Sequence, residues 1–349
     1  MRRILTTVML AAAVTAVTAG PAAACGGLLA PNGAVNLVRT STLVAYHEGV
    51  EHYVTSFEFA GEGGGSFGSI IPLPGIPSKV QKGGGWTLQR LQQEVAPPVT
   101  VPFEADRALV QNAAGATVLL EKRIDALDIT ILEGGGDEVG AWAEDNGFGL
   151  PPDAPEILDF YAERSPIFMA ARFDVKEARE RGFSSGDGTP VHLTIPTSNP
   201  WVPLRILGLG KQPEERIEAD VFLLTDGVPA VLPQAGAPGS GAGMTLERQE
   251  IASDLLMSDL RSDRGMSWMP SSGMWFTYLK IDVPAADLTH DLAIDQSGFG
   301  TPSPVAAGLV DPPLDLPSTE STQPWVWIAA AVMLAVGLYG TDRMVAARR

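Results

Sequence analysis

One cysteine, Cys25, stands in 349 residues, which excludes an internal disulfide and any zinc cluster built on cysteine. Histidine is scarce too: the chain has only His47, His52, His192 and His290. No His-x-x-x-His pair lies on a predicted helix, so the two imidazoles of His47 and His52 fall short of the three or four ligands a transition-metal site needs. Basic residues are few, with 24 Lys and Arg against 41 Asp and Glu. Setting aside Arg2, Arg3, Asp342, Arg343, Arg348 and Arg349 at the two ends leaves 19 against 40, a charge near −21 for the part between. That excess argues against nucleic acid and anionic membrane surfaces as partners. Long charge-free apolar runs occur only at the ends of the chain.

Arg2 and Arg3 precede an apolar stretch from Ile4 to about Gly20, followed by Ala22-Ala23-Ala24. This is the pattern of a secretory signal, residues 1–24, with the mature protein beginning near Cys25. The run from Trp325 to Tyr339 carries no charge and is followed by Asp342, Arg343, Arg348 and Arg349. Extended through Thr341, a helix over 325–341 approaches the roughly 30 Å of a hydrocarbon core at about 1.5 Å per residue. Trp325, Trp327 and Tyr339 stand where aromatic belts sit, and the basic tail 342–349 places the C-terminus in the cytoplasm. The expectation is a single-pass cell-membrane protein with its mass outside. Two other anchors stay open. Leu316-Pro317-Ser318-Thr319-Glu320 resembles a sortase sorting signal with Glu320 where the cleaved glycine belongs, and Cys25 could carry lipid, although Ala22-Ala23-Ala24 lacks the large aliphatic residue that such processing favours.

Between the ends, Thr40–His47 and Val50–Phe59 read as a hairpin turning at Glu48-Gly49, with Val44, Tyr46, Tyr53, Phe57 and Phe59 on the core face and His47 and His52 diagonal on the other, solvent-facing side. Phe67–Pro77 is proline-rich and reads as an extended edge segment. Strands are expected at 117–124, 128–132, 167–173, 191–195, 202–207, 217–224 and 275–283. Helices are expected over 87–95, after Asp137, after Asp153 with Glu156 as a capping box, and over about 245–260. Pro229–Gly243 reads as a mobile loop, and composition turns stalk-like from Thr301 to 324. The fold class is α+β: one β-dominated extracytoplasmic domain over 25–300 with a few short helices, plus one C-terminal transmembrane helix.

Cys25-Gly26-Gly27, the Phe67–Pro77 segment, Asp128-Ile129-Thr130-Ile131-Leu132, Trp142-Ala143-Glu144-Asp145-Asn146-Gly147-Phe148 and Pro203-Leu204-Arg205-Ile206 occur in an order that resembles the bacterial domain-of-unknown-function family 2330. The resemblance runs from Cys25 to about Ile294. It implies an exported, often membrane-anchored protein without assigned chemistry. It also implies further cysteines near the mature start, but this chain has Leu29 and Ala30 there, so a stapled N-terminus does not carry over.

Few residues offer chemistry. Gly64-Gly65-Ser66-Phe67-Gly68 and Gly182-Phe183-Ser184-Ser185-Gly186 match the Gly-x-Ser-x-Gly pattern, but that nucleophile needs a strand-turn-helix context, and neither serine leads into a helix. His47 and His52 offer two imidazoles on one strand face. Met266, Trp268, Met269, Met274 and Trp275 form a thioether and indole cluster that suits either core packing or a soft ion such as Cu(I). Asp254, Asp259 and Asp263 follow one helix side without a calcium-loop pattern. The glycine triplets 63–65, 83–85 and 134–136 lack a following Gly-Lys-Ser/Thr and read as hinges. No catalytic residue, cofactor site or metal site is assigned. The sequence reads as a binding or interaction module of the cell envelope with an envelope protein as partner, the alternatives being an extracytoplasmic hydrolase or a metal- or ligand-binding protein.

Overall fold

The computed structural model describes residues 27–29, 40–58, 67–95, 116–182, 188–296 and 300–313. The signal segment 1–24, Cys25, Ser66, Ser184, Leu316–Glu320, the apolar run 325–341 and the basic tail lie outside them. Among the described residues no helix is long and apolar enough to cross a membrane. The chain divides into two units, Met1–Val310 and Asp311–Arg349, and every element named below belongs to the first.

Among the described residues the strands form three sheets. The largest runs in the order β13 (Met244–Ile251), β14 (Trp275–Pro284), β11 (Arg216–Thr225), β2 (Thr40–His47), β3 (Val50–Glu58), β9 (Gly188–Pro196), β5 (Lys79–Lys82). Its neighbours are antiparallel except β11 and β2, which run parallel and join the N- and C-terminal halves of the fold. The second sheet runs β1 (Gly27–Leu29), β4 (Phe67–Pro72), β8 (Ile167–Phe173), β7 (Leu127–Glu133), β6 (Thr117–Ile124). A small third sheet holds β10 (Trp201–Val202), β15 (Leu292–Asp295) and β12 (Ala230–Leu232).

Period-two alternation places these layers. In β2, Val44 points into a core shared with Tyr53, Leu193 and Val221 of the large sheet and with Ile129, Met169 and Phe173 of the second. Leu43 and Ala45 point the other way, toward α1 (Thr87–Val95) and α5 (Asp254–Ser262), where Leu88, Leu91, Leu256 and Leu260 meet Phe222 and Phe276. On the outer face of the second sheet, Phe168 and Ala170 pack against Trp142 of α2 (Gly136–Asp145) and Leu158 of α3 (Ala154–Ala162). The result is four layers, helix-sheet-sheet-helix, with strand residues such as Leu43 and Val44 buried on both faces. A further helix, α4 (Val175–Glu180), is capped by Asp174, whose carboxylate accepts from the Glu177 N–H at 3.0 Å.

The hairpin register is the expected one. His47 faces Val50 and Val44 faces Tyr53, and Glu48 and Gly49 both take positive φ, as a two-residue primed turn requires. Elsewhere the structure corrects the sequence reading. Met244–Ile251 is a strand paired with β14, and the helix begins only at Asp254, where the Ser253 hydroxyl accepts from the Leu256 N–H at 3.1 Å. The proline segment is interior, because β1 pairs with β4 at Gly68–Ile70 and leaves Pro72 beyond its end. Trp201–Val202 stops after two residues and leads into a three-ten turn, Arg205–Gly208. Gly135, not Asp137, precedes α2, its N–H donating to Glu138 at 3.0 Å. The Asp153 carboxylate makes no cap bond to α3 and instead accepts from the Gly210 N–H at 3.0 Å. Pro229–Gly243 contains β12. In the 134–136 run, Gly136 serves close packing, since a Cβ there would lie 2.6 Å from the Asp159 nitrogen. Residues 301–310 pack on the body, with Arg164 donating to the Val305 carbonyl at 3.1 Å and Ala307 fully buried.

α1 has no cap in its own sequence, since Gly85 and Trp86 precede it. Its cap comes from the far end of α5, where the Asp263 carboxylate accepts from the N–H of Trp86 (3.1 Å) and of Thr87 (2.7 Å) and from the Thr87 hydroxyl (2.7 Å). Gly84 makes the approach feasible, because a Cβ there would lie 1.7 Å from an Asp263 oxygen. Arg90 of α1 also holds Asp259 of α5 at 2.8 Å.

Candidate functional site

The face of the large sheet that carries His52 is covered, not open. His52 on β3 pairs across to Thr194, and His192 on β9 pairs across to Val54, so the two imidazoles are diagonal neighbours on one face. His52 Nδ1 lies 2.9 Å from His192 Nε2, and His192 Nδ1 lies 3.0 Å from Gln81 Nε2 on β5. With the Gln81 amide donating, His192 carries its proton on Nε2 and passes a hydrogen bond to His52 Nδ1, which leaves the His52 proton on Nε2.

The loop from Asp263 to Met274 closes over this row. Trp268 lies flat on His52, with ring centroids 3.5 Å apart and 4° between planes, while Met266, Met269 and Met274 fill the core beside it. Gly265, at φ +83°, forms the wall; a Cβ there would lie 3.2 Å from His192 Nδ1. His52 is 8% exposed and His192 1%. Burial pushes His52 down to about 3, helped by the charges of His192 and His47, and pushes His192 down to about 4, with Lys79 adding to the effect. Both rings are therefore neutral at physiological pH. At the rim, His47 Nδ1 lies 2.7 Å from Asp226 Oδ1.

This pair is poorly suited to proton transfer. Bases with such low values are weak at neutral pH, and among the described residues neither ring is hydrogen-bonded to a hydroxyl or thiol that it could activate. No group of three or more His, Cys, Asp or Glu side chains among the described residues could hold a metal ion. The row acts as a latch, with polar bonds in the sheet and an aromatic stack fastening the loop above.

Two buried carboxyls with raised values lie elsewhere. Glu51 is fully buried on the inner face opposite Tyr46, and burial pushes it well above the usual range, an effect that the Trp201 main chain beside it offsets only in part. Asp291 Oδ1 accepts from the Tyr161 hydroxyl (2.7 Å) and from the N–H of Leu204 (2.7 Å) and Arg205 (2.9 Å), while Oδ2 has no partner. Burial outweighs those three donors and raises Asp291 to about 7. Tyr161 in turn accepts from the Ile206 N–H at 2.9 Å, so this pair pins α3 to the three-ten turn.

The described surface also holds a half-open cleft of about 390 Å³. Its floor is backed by Leu204, Ile281 and Leu288 of the central core, themselves buried, and the apolar surface it offers belongs to the partly buried Met244, Val283 and Pro284. Its rim is polar, with Arg216, Asp282, Asp287 and His290. The wall is the glycine-rich loop, which Gly243 lets run close against β14, since a Cβ there would lie 2.0 Å from the Val283 side chain.

Of the residues singled out from sequence, His47, His52, Trp268 and the methionines come together, and His192 joins them. His47 and His52 share the expected face, but the Trp268 loop covers His52, so it is not solvent-facing. The three aspartates do not converge: Asp259 binds Arg90, Asp263 caps α1 and Asp254 stands in the first turn of α5. Gln81, Glu51, Asp291 and the cleft were missed, and each depends on contacts between distant segments.

The sequence profile of the family described as "Uncharacterized protein conserved in bacteria (DUF2330)" matches residues 19–226. The chain belongs to this family. No curated protein matches it. Among solved structures, a mutated baculovirus P35 after caspase cleavage is 8% identical, covering 73% of this chain and 98% of that one at a TM-score of 0.37. Baculovirus P35 is 9% identical, covering 74% and 96%, at 0.36. The caspase-8/P35 complex contains a chain 7% identical, covering 73% and 90%, at 0.35. Scores this low carry no argument about fold or function.

Proposed function

We propose that this member of an uncharacterised bacterial family is a binding module of the cell envelope, exported by the signal at 1–24 and held in the membrane by a helix over 325–341. The observation that carries the reading is the cleft: a concave place with a core-backed apolar floor and a polar rim is the form that binding sites take. The main titratable cluster supports it from the other side, because His52 and His192 are occupied in fastening a loop. The acidic exported part fits an extracytoplasmic surface that repels nucleic acid and anionic lipid.

Crosslinking on intact cells tests the proposal, using an affinity tag placed between Cys25 and β2 and mass spectrometry of what is recovered. One envelope component recovered in near-stoichiometric amount is the expected result. Well-folded, exported protein that recovers nothing specific would overturn the interaction reading. Protease protection in spheroplasts tests the orientation; a domain shielded from external protease would overturn it.

A further inference from the structure

Charges on the cleft rim are unequal, and this deepens the binding reading above, on which it rests. Arg216 is already engaged, its Nε donating to Asp282 Oδ1 at 2.8 Å, so these two rim charges largely cancel. His290 is half-buried, and burial lowers its basicity, which makes it a neutral imidazole at physiological pH. Asp287, at the end of the short turn Ala285–Asp287, is exposed and has no ion-pair or hydrogen-bond partner among the described residues. The cleft therefore joins the apolar surface of Met244, Val283 and Pro284, backed by the core, to one uncompensated carboxylate.

We infer that the cleft takes a primary ammonium carried on an apolar stem, the chemistry of a lysine side chain or of a free alkylamine. The stem lies on the floor and the ammonium meets Asp287. A volume of about 390 Å³ leaves room for such a stem. An anionic ligand of the same length is disfavoured twice, because Arg216 is taken by Asp282 and because the exported part carries a charge near −21.

Saturation-transfer NMR titrations with n-hexylammonium and n-hexanoate, equal in chain length and opposite in charge, test this on the purified full chain. The ammonium should bind saturably and the carboxylate should not. Asp287→Asn, an exposed change that leaves the core untouched, should weaken the ammonium by about fivefold, the size of one rim charge pair. Arg216→Met frees Asp282 and should strengthen ammonium binding, a gain that damage to the cleft would not produce. A capped lysine in peptide linkage that binds more tightly than hexylammonium assigns the source as a peptide, and equal binding assigns it as a free amine. Equal binding of hexanoate, no saturable binding of the ammonium, or unchanged affinity in Asp287→Asn would each overturn the inference. If the ammonium shows no saturable binding while the native chain still crosslinks one envelope partner, the binding-module reading survives and the ammonium assignment alone falls.

Discussion

Lowering the pH from 8 to 5 should loosen the latch under Trp268, and the size of the effect follows from the burial of the two histidines. In the folded protein both imidazoles stay neutral to well below pH 5, at about 3 for His52 and about 4 for His192, against 6.5 for the free side chain. Their folded values are depressed, so their stabilisation is fully present above the unfolded value of 6.5 and is lost as pH falls toward the folded values. At pH 5 each unfolded imidazole gains proton-binding energy of about 2 kcal/mol that its buried counterpart does not, so the pair costs about 4 kcal/mol between pH 8 and 5. Glu51 and Asp291, whose folded values are raised, act in the opposite sense over part of this range. They are common to the native chain and a histidine variant and cancel in the difference. Urea midpoints at pH 8, 7, 6 and 5 for the native chain and His192→Gln provide the assay. The variant keeps a polar group beside His52 and should lose about half of the acid sensitivity, about 2 kcal/mol, with Trp268 fluorescence reporting loop release. Parallel stability curves for the two proteins over pH 8 to 5 would refute the claim that His192 is held neutral.

Glu51→Gln should stabilise the protein increasingly as pH rises above about 4.5, because a buried carboxyl with a raised value loses stability once its unfolded counterpart ionises; calorimetric melting at pH 5 and pH 8 should show a larger gap at pH 8. Asp263→Ala removes the cap of α1 and should cost about 1–2 kcal/mol in urea denaturation, with early loss of helix signal. Tyr161→Phe leaves both Asp291 and the Ile206 N–H short of a partner and should cost about 1–3 kcal/mol, measured by the same denaturation. A serine-directed fluorophosphonate should leave the folded protein unlabelled, and labelling at Ser66 or Ser184 would revive the hydrolase reading.

Local pattern made much of the fold legible. The 40–58 hairpin could be read because its alternation and the Glu48-Gly49 turn lie within one short stretch. α1 could be read because Leu88, Leu91 and Val95 keep helical spacing. The 245–260 helix misled because Leu246 and Leu255 are apolar in either period, and only pairing with β14 decides for a strand up to Ile251. Phe67–Pro72 misled because proline excludes only the pairings actually made at its own position, and Pro72 lies past the end of β1. The latch was half visible, since two hairpin histidines and a Met-Trp loop stood out separately. Bringing them together takes the placement of β9 beside β3 and of the loop over both, facts of strand order that no local window contains.

The cap of α1 also sets an order of events. A nine-residue helix is marginal alone, and the oxygen that satisfies its first turn arrives 176 positions later in the chain. The large sheet is similarly incomplete until β11 and β14 are available to lie beside β2. A chain emerging N-terminus first therefore completes its early helix and its central sheet only when its last third appears. The second sheet, whose strands all lie between Gly27 and Phe173, needs nothing from that third, so α1 and the large sheet are the parts of the domain completed last.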